Sequence, residues 1–213
     1  MNPAPVRLVI ATTNRGKLRE VSEVLAGFSL CLCNLADFPG IEEAVEDGST
    51  FEENASIKAI HYARLTNCWT LADDSGLCVD ALGGAPGVHS ARYAGTPSND
   101  AANNRKLINA LRAVPMNLRT ARFVCAMALA KPRDANGGDA TVVATARGEV
   151  EGSIINMPRG HNGFGYDPHF LIPALDRTAA ELPPEHKNAV SHRGNALRNI
   201  SDSIRRFCAA PVG

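Results

Sequence analysis

The chain has 213 residues, and its 22 Lys and Arg against 22 Asp and Glu leave a formal charge of zero. That balance excludes a general nucleic-acid coat, because non-specific binding to phosphate backbones runs on surplus Lys and Arg; any anion bound here must be met by local clustering of charge. With 45% apolar and 21% charged residues, the composition is that of an ordinary globular chain, long enough to bury roughly 70% of its unfolded surface.

Val6 to Ala11 reads as a buried strand, and Asn14 to Phe28 as a helix with Leu18, Val21, Leu25 and Phe28 at helical spacing. A strand, a polar turn and a helix open an α/β chain. Leu30 to Cys33 is a second short strand, followed from Ala36 to Gly48 by an acidic loop with Glu42, Glu43, Glu46 and Asp47. Thr50 followed by Glu53 is a capping-box pattern, opening a helix through Phe51, Ala55, Ala59 and Tyr62 that also carries Lys58. Trp69 to Asp73 is a strand ending in Asp73-Asp74-Ser75-Gly76, and Cys78 to Leu82 forms a further strand before the glycine-rich turn Gly83 to Gly87.

Ser98 to Arg112 is helical, and Ala121 to Lys131 pairs with Thr141 to Val150 across the turn-rich Pro132 to Asp139. Gly160 to Asp167 is a glycine-dense loop before a short strand at His169 to Ile172, and the last helix begins near Lys187 to Ser191 and ends near Phe207. With its β-rich stretch in the middle, the chain is expected to form a mixed sheet rather than a regular doubly wound parallel one. The longest strongly apolar stretches, Leu8 to Ala11 and Val124 to Ala130, fall far short of the roughly 18 residues that cross a bilayer. The N-terminal apolar run is too short for a signal peptide, so the chain reads as cytoplasmic. Cysteines at 31, 33, 68, 78, 125 and 208 include no CxxC pair and no zinc-spaced His. They read as reduced, partly buried thiols rather than a metal or redox site.

Chemistry-bearing residues gather in separate segments. Thr12-Thr13-Asn14-Arg15-Gly16-Lys17 sits between a strand and a helix, where hydroxyls, an amide, unpaired backbone N–H groups and a cation are suitable phosphate ligands. It lacks the first glycine and final hydroxyl of a Walker A loop, and taken alone it also reads as an ordinary N-cap with a solvated Lys17. Glu46-Asp47 and Asp73-Asp74 are adjacent carboxylates, which resist ionising together unless a cation or proton lies between them. Mg²⁺ would supply that charge; a turn capped by one Asp with the other solvated accounts for the pair equally well. In a chain with 5% aromatics, Phe164 and Tyr166 among the glycines of the 160–167 loop either bring a ring against a planar ligand or plug a sheet edge. Ser191-His192-Arg193-Gly194 with Lys187 offers donors for a carbonyl and a cation for an anion, or a capped helix start with a surface ion pair.

In order and spacing these segments resemble the inosine/xanthosine triphosphate pyrophosphatase family. So do Thr50 to Ala59, Ala72 to Leu77, Gly83 to Gly87 and Ser90 to Tyr93, and the match runs from Ala11 to Gly194. The resemblance implies an α/β fold with an elongated mixed β-sheet flanked by helices, a single domain over 1–213 in two lobes with the active-site cleft between them, and a homodimer. It implies that non-standard purine nucleoside triphosphates (ITP, dITP, XTP) are cleaved to the monophosphate and pyrophosphate with Mg²⁺. Thr12, Thr13, Asn14, Arg15, Gly16, Lys17 and Lys58 are then the triphosphate cradle, Asp74 the catalytic base or metal carboxylate, and Glu46 its partner on the metal. Ser75 contacts substrate, Phe164 stacks on the base with Gly165, Tyr166 and Asp167 completing that wall, and Lys187, His192 and Arg193 line the nucleotide pocket. His161-Asn162 and Asp47 depart from the family pattern. The 6-keto oxygen of hypoxanthine and xanthine suits donors such as His192 and Arg193, which would go unpaired against adenine. A pyrophosphatase for pyrimidine or modified nucleotides and a nucleotide-binding module without turnover are the competing readings. No nucleic acid or membrane partner is expected.

Overall fold

The computed structural model describes residues 5–134 and 137–209. Its strands are β1 Val6–Ile10, β2 Leu30–Asn34, β3 Trp69–Val79, β4 Thr120–Lys131, β5 Thr141–Ile154, β6 Phe170–Ile172 and β7 Arg177–Thr178, and its helices α1 Arg15–Leu25, α2 Phe51–Thr66, α3 Asp100–Ala110, α4 Pro184–Val190 and α5 His192–Ala209. The strands form one seven-stranded sheet in the order β2-β1-β3-β4-β5-β6-β7. The sheet is open and mixed: β1 pairs parallel with β2 and β3, whereas β6 pairs antiparallel with β5 and β7. Parallel neighbours need crossover connections, and α1 and α2 supply them.

The chain divides into two compact units, one of Met1–Asp74, Ala126–Arg147 and Ala196–Gly213, the other of Ser75–Cys125 and Gly148–Asn195. In the first, Leu8, Val9 and Ile10 of β1 are buried along with Val21 and Leu25 of α1. On α2, Ala55, Ala59 and Ala63 recur every fourth residue and are fully buried, presenting a narrow apolar face. The Thr50–Glu53 capping box forms as the sequence predicts, fixing where α2 starts. In the second unit the core joins Leu77 and Val79 of β3, Leu107 and Leu111 from α3 and its C-cap, Phe123 of β4, Ile154 of β5 and Phe170 of β6.

Two elements differ from expectation. Asp73-Asp74-Ser75-Gly76 does not end its strand: β3 runs unbroken to Val79, and Asp80–Leu82 form a 3₁₀ turn. The polar run imitates a turn, but β3 lies between β1 and β4 in the sheet. Its two aspartates meet lysines and an amide. The last helical region is two helices, because Ser191 is extended between α4 and α5 (φ −74, ψ 158). Cys31, Cys33, Cys68, Cys78 and Cys125 carry no disulfide among the described residues, and none of the described helices is long and apolar enough to cross a membrane.

Candidate active site

Successive side chains of a strand point to opposite faces, and Asp73 and Asp74 meet different cations. Lys17 Nζ lies 3.0 Å from Asp73 Oδ2. Lys58 Nζ lies 3.5 Å from Asp74 Oδ1 and 2.9 Å from Glu46 Oε2. Two carboxylates that are distant in sequence therefore converge on one ammonium group, while Asp47, next to Glu46, is exposed.

Burial works to lower the Lys58 pKa, but Asp74, Asp73 and Glu46 outweigh it and the net shift is upward, so Lys58 is a fixed cation. For Asp74, burial is the largest influence and holds the carboxyl above the usual range, against Lys58, Lys17 and a hydrogen bond from Asn54, with Glu46 adding to the rise. The two directions are compatible because Lys58 collects the attraction of three carboxylates, whereas Asp74 loses water and faces another anion.

The loop before α1 forms the helix N-cap that its residues offered as one reading, through Asn14. Asn14 Oδ1 accepts the N–H groups of Gly16 and Lys17 at 2.9 and 3.1 Å, and Thr12 Oγ1 accepts that of Asn14 at 3.2 Å. Amides that would otherwise be unpaired at a helix start are thus taken by local side chains. Lys17 is not solvated but directed to Asp73. Thr13, Asn14 and Arg15 are exposed.

In the second unit, Asp167 organises the aromatic loop. Its Oδ2 accepts the Phe164 N–H at 2.9 Å and lies 2.8 Å from Lys187 Nζ. A Cβ on Gly163 would fall 2.0 Å from that oxygen, so only glycine fits there. Lys187 Nζ is 5.1 Å from the Phe164 ring centroid and the Arg193 guanidinium 6.0 Å, within cation–π range. Arg193, 1% exposed, donates to Ser75 Oγ at 3.1 Å. The His192 ring stacks on Phe123 with centroids 5.0 Å apart. A cavity lies beside these groups, lined by Phe123, Asp167, Lys187, Ser191 and His192 among others.

Tyr166 is not part of an open wall. It is buried in the core cluster and donates from its hydroxyl to the Ser90 carbonyl at 2.8 Å. Burial, then the neighbouring Tyr93 and Asp100, push its phenol pKa up, so it remains a neutral donor anchoring the loop. Gly165, in a left-handed conformation (φ +61), carries the turn between Phe164 and Tyr166.

A family model described as the Ham1 family matches residues 8–203. The chain belongs to the Ham1 family. A relative from Geobacter sulfurreducens named dITP/XTP pyrophosphatase is 52% identical over 198 residues, spanning 93% of this chain and 96% of its own. One of the same name from Desulforamulus reducens is 48% identical over 202 residues, spanning 95% and 97%. Among solved structures, a HAM1 protein from Coxiella burnetii superposes with a TM-score of 0.82 at 43% identity, covering 94% of this chain and 99% of that one. The family resemblance of the sequence motifs is borne out, as is the mixed sheet with flanking helices.

One residue of this Ham1 site escaped the sequence reading. Asn54, 1% exposed, donates from Nδ2 to Asp74 Oδ2 at 3.1 Å while its Oδ1 accepts the Gly48 N–H at 2.8 Å. It ties the acidic loop to the carboxylate. Its signal was present, since Asn54 and Lys58 are four apart on α2 and share a helical face. Gly48 is required by this contact: a Cβ there would fall 2.7 Å from Asn54 Oδ1 and 2.8 Å from Glu53 Cβ.

Proposed function

We propose that this chain is a Mg²⁺-dependent pyrophosphatase of non-standard purine nucleoside triphosphates, releasing pyrophosphate and the monophosphate from ITP, dITP and XTP. The convergence of Glu46 and Asp74 on the Lys58 ammonium carries the reading; the names of the relatives support it. Two hard oxygen donors around one cationic point suit magnesium, which takes one or two carboxylates and fills its shell with water and substrate phosphate. No cluster of three or more His, Cys, Asp or Glu that could cage a metal occurs among the described residues. Glu46 and Asp74 are the residues that would hold such an ion, with water and substrate phosphate completing its shell. When bound, magnesium polarises phosphate oxygens and offsets their charge.

Asp74 supplies the base. It orients a water, takes its proton, and the water oxygen bonds to the α-phosphorus as the bond to the bridging oxygen of the β-phosphate breaks and pyrophosphate leaves. A carboxyl whose pKa lies above the usual range is a better proton acceptor than an ordinary aspartate, once ionised. Lys58 and Lys17 stabilise charge on the departing pyrophosphate, with Thr12 and Thr13 hydroxyls as further ligands. Phe164 stacks on the base, and His192 and Arg193 donate to the 6-keto oxygen, so adenine leaves buried donors unpaired. The reading extends to a homodimer in the cytoplasm, the former open to light scattering.

Hydrolysis of ITP in ¹⁸O-water tests the chemistry. Attack at the α-phosphorus puts the label in the monophosphate; label in pyrophosphate or free phosphate would overturn the assignment.

A further inference from the structure

Helix α3 turns Asp100, Asn103 and Asn104 to one face, at the i, i+3 and i+4 positions where helical side chains are neighbours. Asp100 Oδ2 accepts the Gly165 N–H at 2.8 Å, and Asn104 Nδ2 donates to the Gly165 carbonyl at 2.9 Å. Both hydrogen-bonding groups of one residue are thus taken by two side chains a turn apart. Asn103, 2% exposed, holds the adjoining segment in the same manner, donating to the Ala91 carbonyl at 3.0 Å and accepting the Ala94 N–H at 2.7 Å. That segment includes Ser90, whose carbonyl receives the Tyr166 hydroxyl.

Gly165 needs such a clamp. It has φ +61, yet a Cβ there would meet nothing within 4 Å, so backbone conformation rather than space selects glycine. A glycine left to itself populates many other conformations and loses more freedom than any other residue when fixed. The orientation of the Asn104 amide agrees: its Nδ2 meets the Gly165 carbonyl although its Oδ1 is left buried without a hydrogen-bond partner. A flipped amide would set two carbonyl oxygens against each other.

We propose that Asp100 and Asn104 are positioning residues of the base pocket, which lock Gly165 and so hold the preceding Phe164 ring ready to stack on a purine. The inference rests on the reading of Phe164 as the base platform. Neither residue touches substrate in this account. Releasing the clamp lowers the fraction of molecules with the ring in place, and apparent affinity for anything with a base falls by that fraction. Ligands that engage only the phosphate groups are indifferent to it.

The test compares Asn104→Ala, Asp100→Ala and Asp100→Asn with the unaltered chain, using IMP and pyrophosphate as separate probes. Each alanine variant should raise KM for ITP and weaken IMP binding in calorimetry by about five- to tenfold, the worth of one hydrogen bond, with kcat nearly unchanged. Inhibition by pyrophosphate should be unaffected. Asp100→Asn keeps an acceptor for the Gly165 N–H and should retain most of the IMP affinity. Equal weakening toward IMP and pyrophosphate would mark a general structural defect and overturn the clamp, as would unchanged IMP binding in an enzyme that turns over ITP. An unaltered chain that neither hydrolyses ITP nor binds IMP would instead remove the functional reading on which the clamp rests.

Discussion

The Asn54 side-chain amide donates to Asp74 Oδ2 at 3.1 Å, on a carboxylate whose other oxygen faces Lys58. Its acceptor end is fixed by the Gly48 N–H, so the amide has one orientation and Asp74 is presented with one donor and one cation. A carboxylate held from two sides keeps its lone pairs directed, and a base must be within reach of the proton it takes.

Asn54→Ala removes that restraint and leaves the Gly48 N–H unpaired, a loss of about 1 to 3 kcal/mol. We expect kcat to fall more than KM rises. Steady-state kinetics with ITP checks it, and a rise in KM alone would contradict the positioning of Asp74.

Gly48→Ala reaches the same contact from the opposite side. Its Cβ would stand 2.7 Å from Asn54 Oδ1, so the amide must move; overpacking of this kind costs about 1 to 3 kcal/mol. Kinetics should match Asn54→Ala in direction, and the double variant should be less impaired than the two single effects multiplied, since both break one interaction.

Asp74→Asn should lower turnover by about two to four orders of magnitude, the usual contribution of a general base, while the chain stays folded. The stability consequence has a defined sign. Because burial raises the folded-state pKa of Asp74, the protein favours the protonated form; the associated stability is present below the unfolded pKa of about 3.9 and is lost as pH rises through the folded value. In chelator, the melting temperature of Asp74→Asn relative to the unaltered chain should therefore rise between acid and neutral pH. A relative fall over that window would contradict the raised pKa.

Lys17→Ala should raise KM for ITP by about tenfold, as expected for a charge-assisted contact to phosphate. Asp73→Asn, which releases the Lys17 ammonium from its 3.0 Å partner, should leave kcat within a few-fold of normal. Titration of both variants with ITP checks the pair. An unchanged KM and kcat for Lys17→Ala would remove the loop before α1 from the cradle.

Much of this was legible in the chain because local rules agreed with the fold. Thr50 and Glu53 announced the start of α2, and the β-rich stretch in the middle of the chain announced a mixed sheet. Asp73-Asp74-Ser75-Gly76 misled because a polar run has the composition of a turn; the lysines and amide brought to its aspartates from α1 and α2 help make a buried strand tolerable there. For Tyr166 the sequence left a ring against a ligand and an apolar plug both open, and the choice rests on Ser90, distant in sequence, whose carbonyl accepts its hydroxyl. Asn54 shares a helical face with Lys58 and could be found from spacing, whereas Asp100 and Asn104 act on Gly165, a partner brought to them by tertiary placement rather than by any local pattern.

The measurement that bears most directly on the central claim is kcat/KM for ITP, XTP and dITP against ATP and GTP, with pyrophosphate and free phosphate quantified separately and Mg²⁺ present or chelated. Pyrophosphate is expected as the product, with dependence on Mg²⁺ and with ITP and XTP preferred over ATP by about two orders of magnitude or more, as a site with buried donors for the 6-keto oxygen requires. Equal turnover of ATP, or free phosphate as the first product, would contradict it.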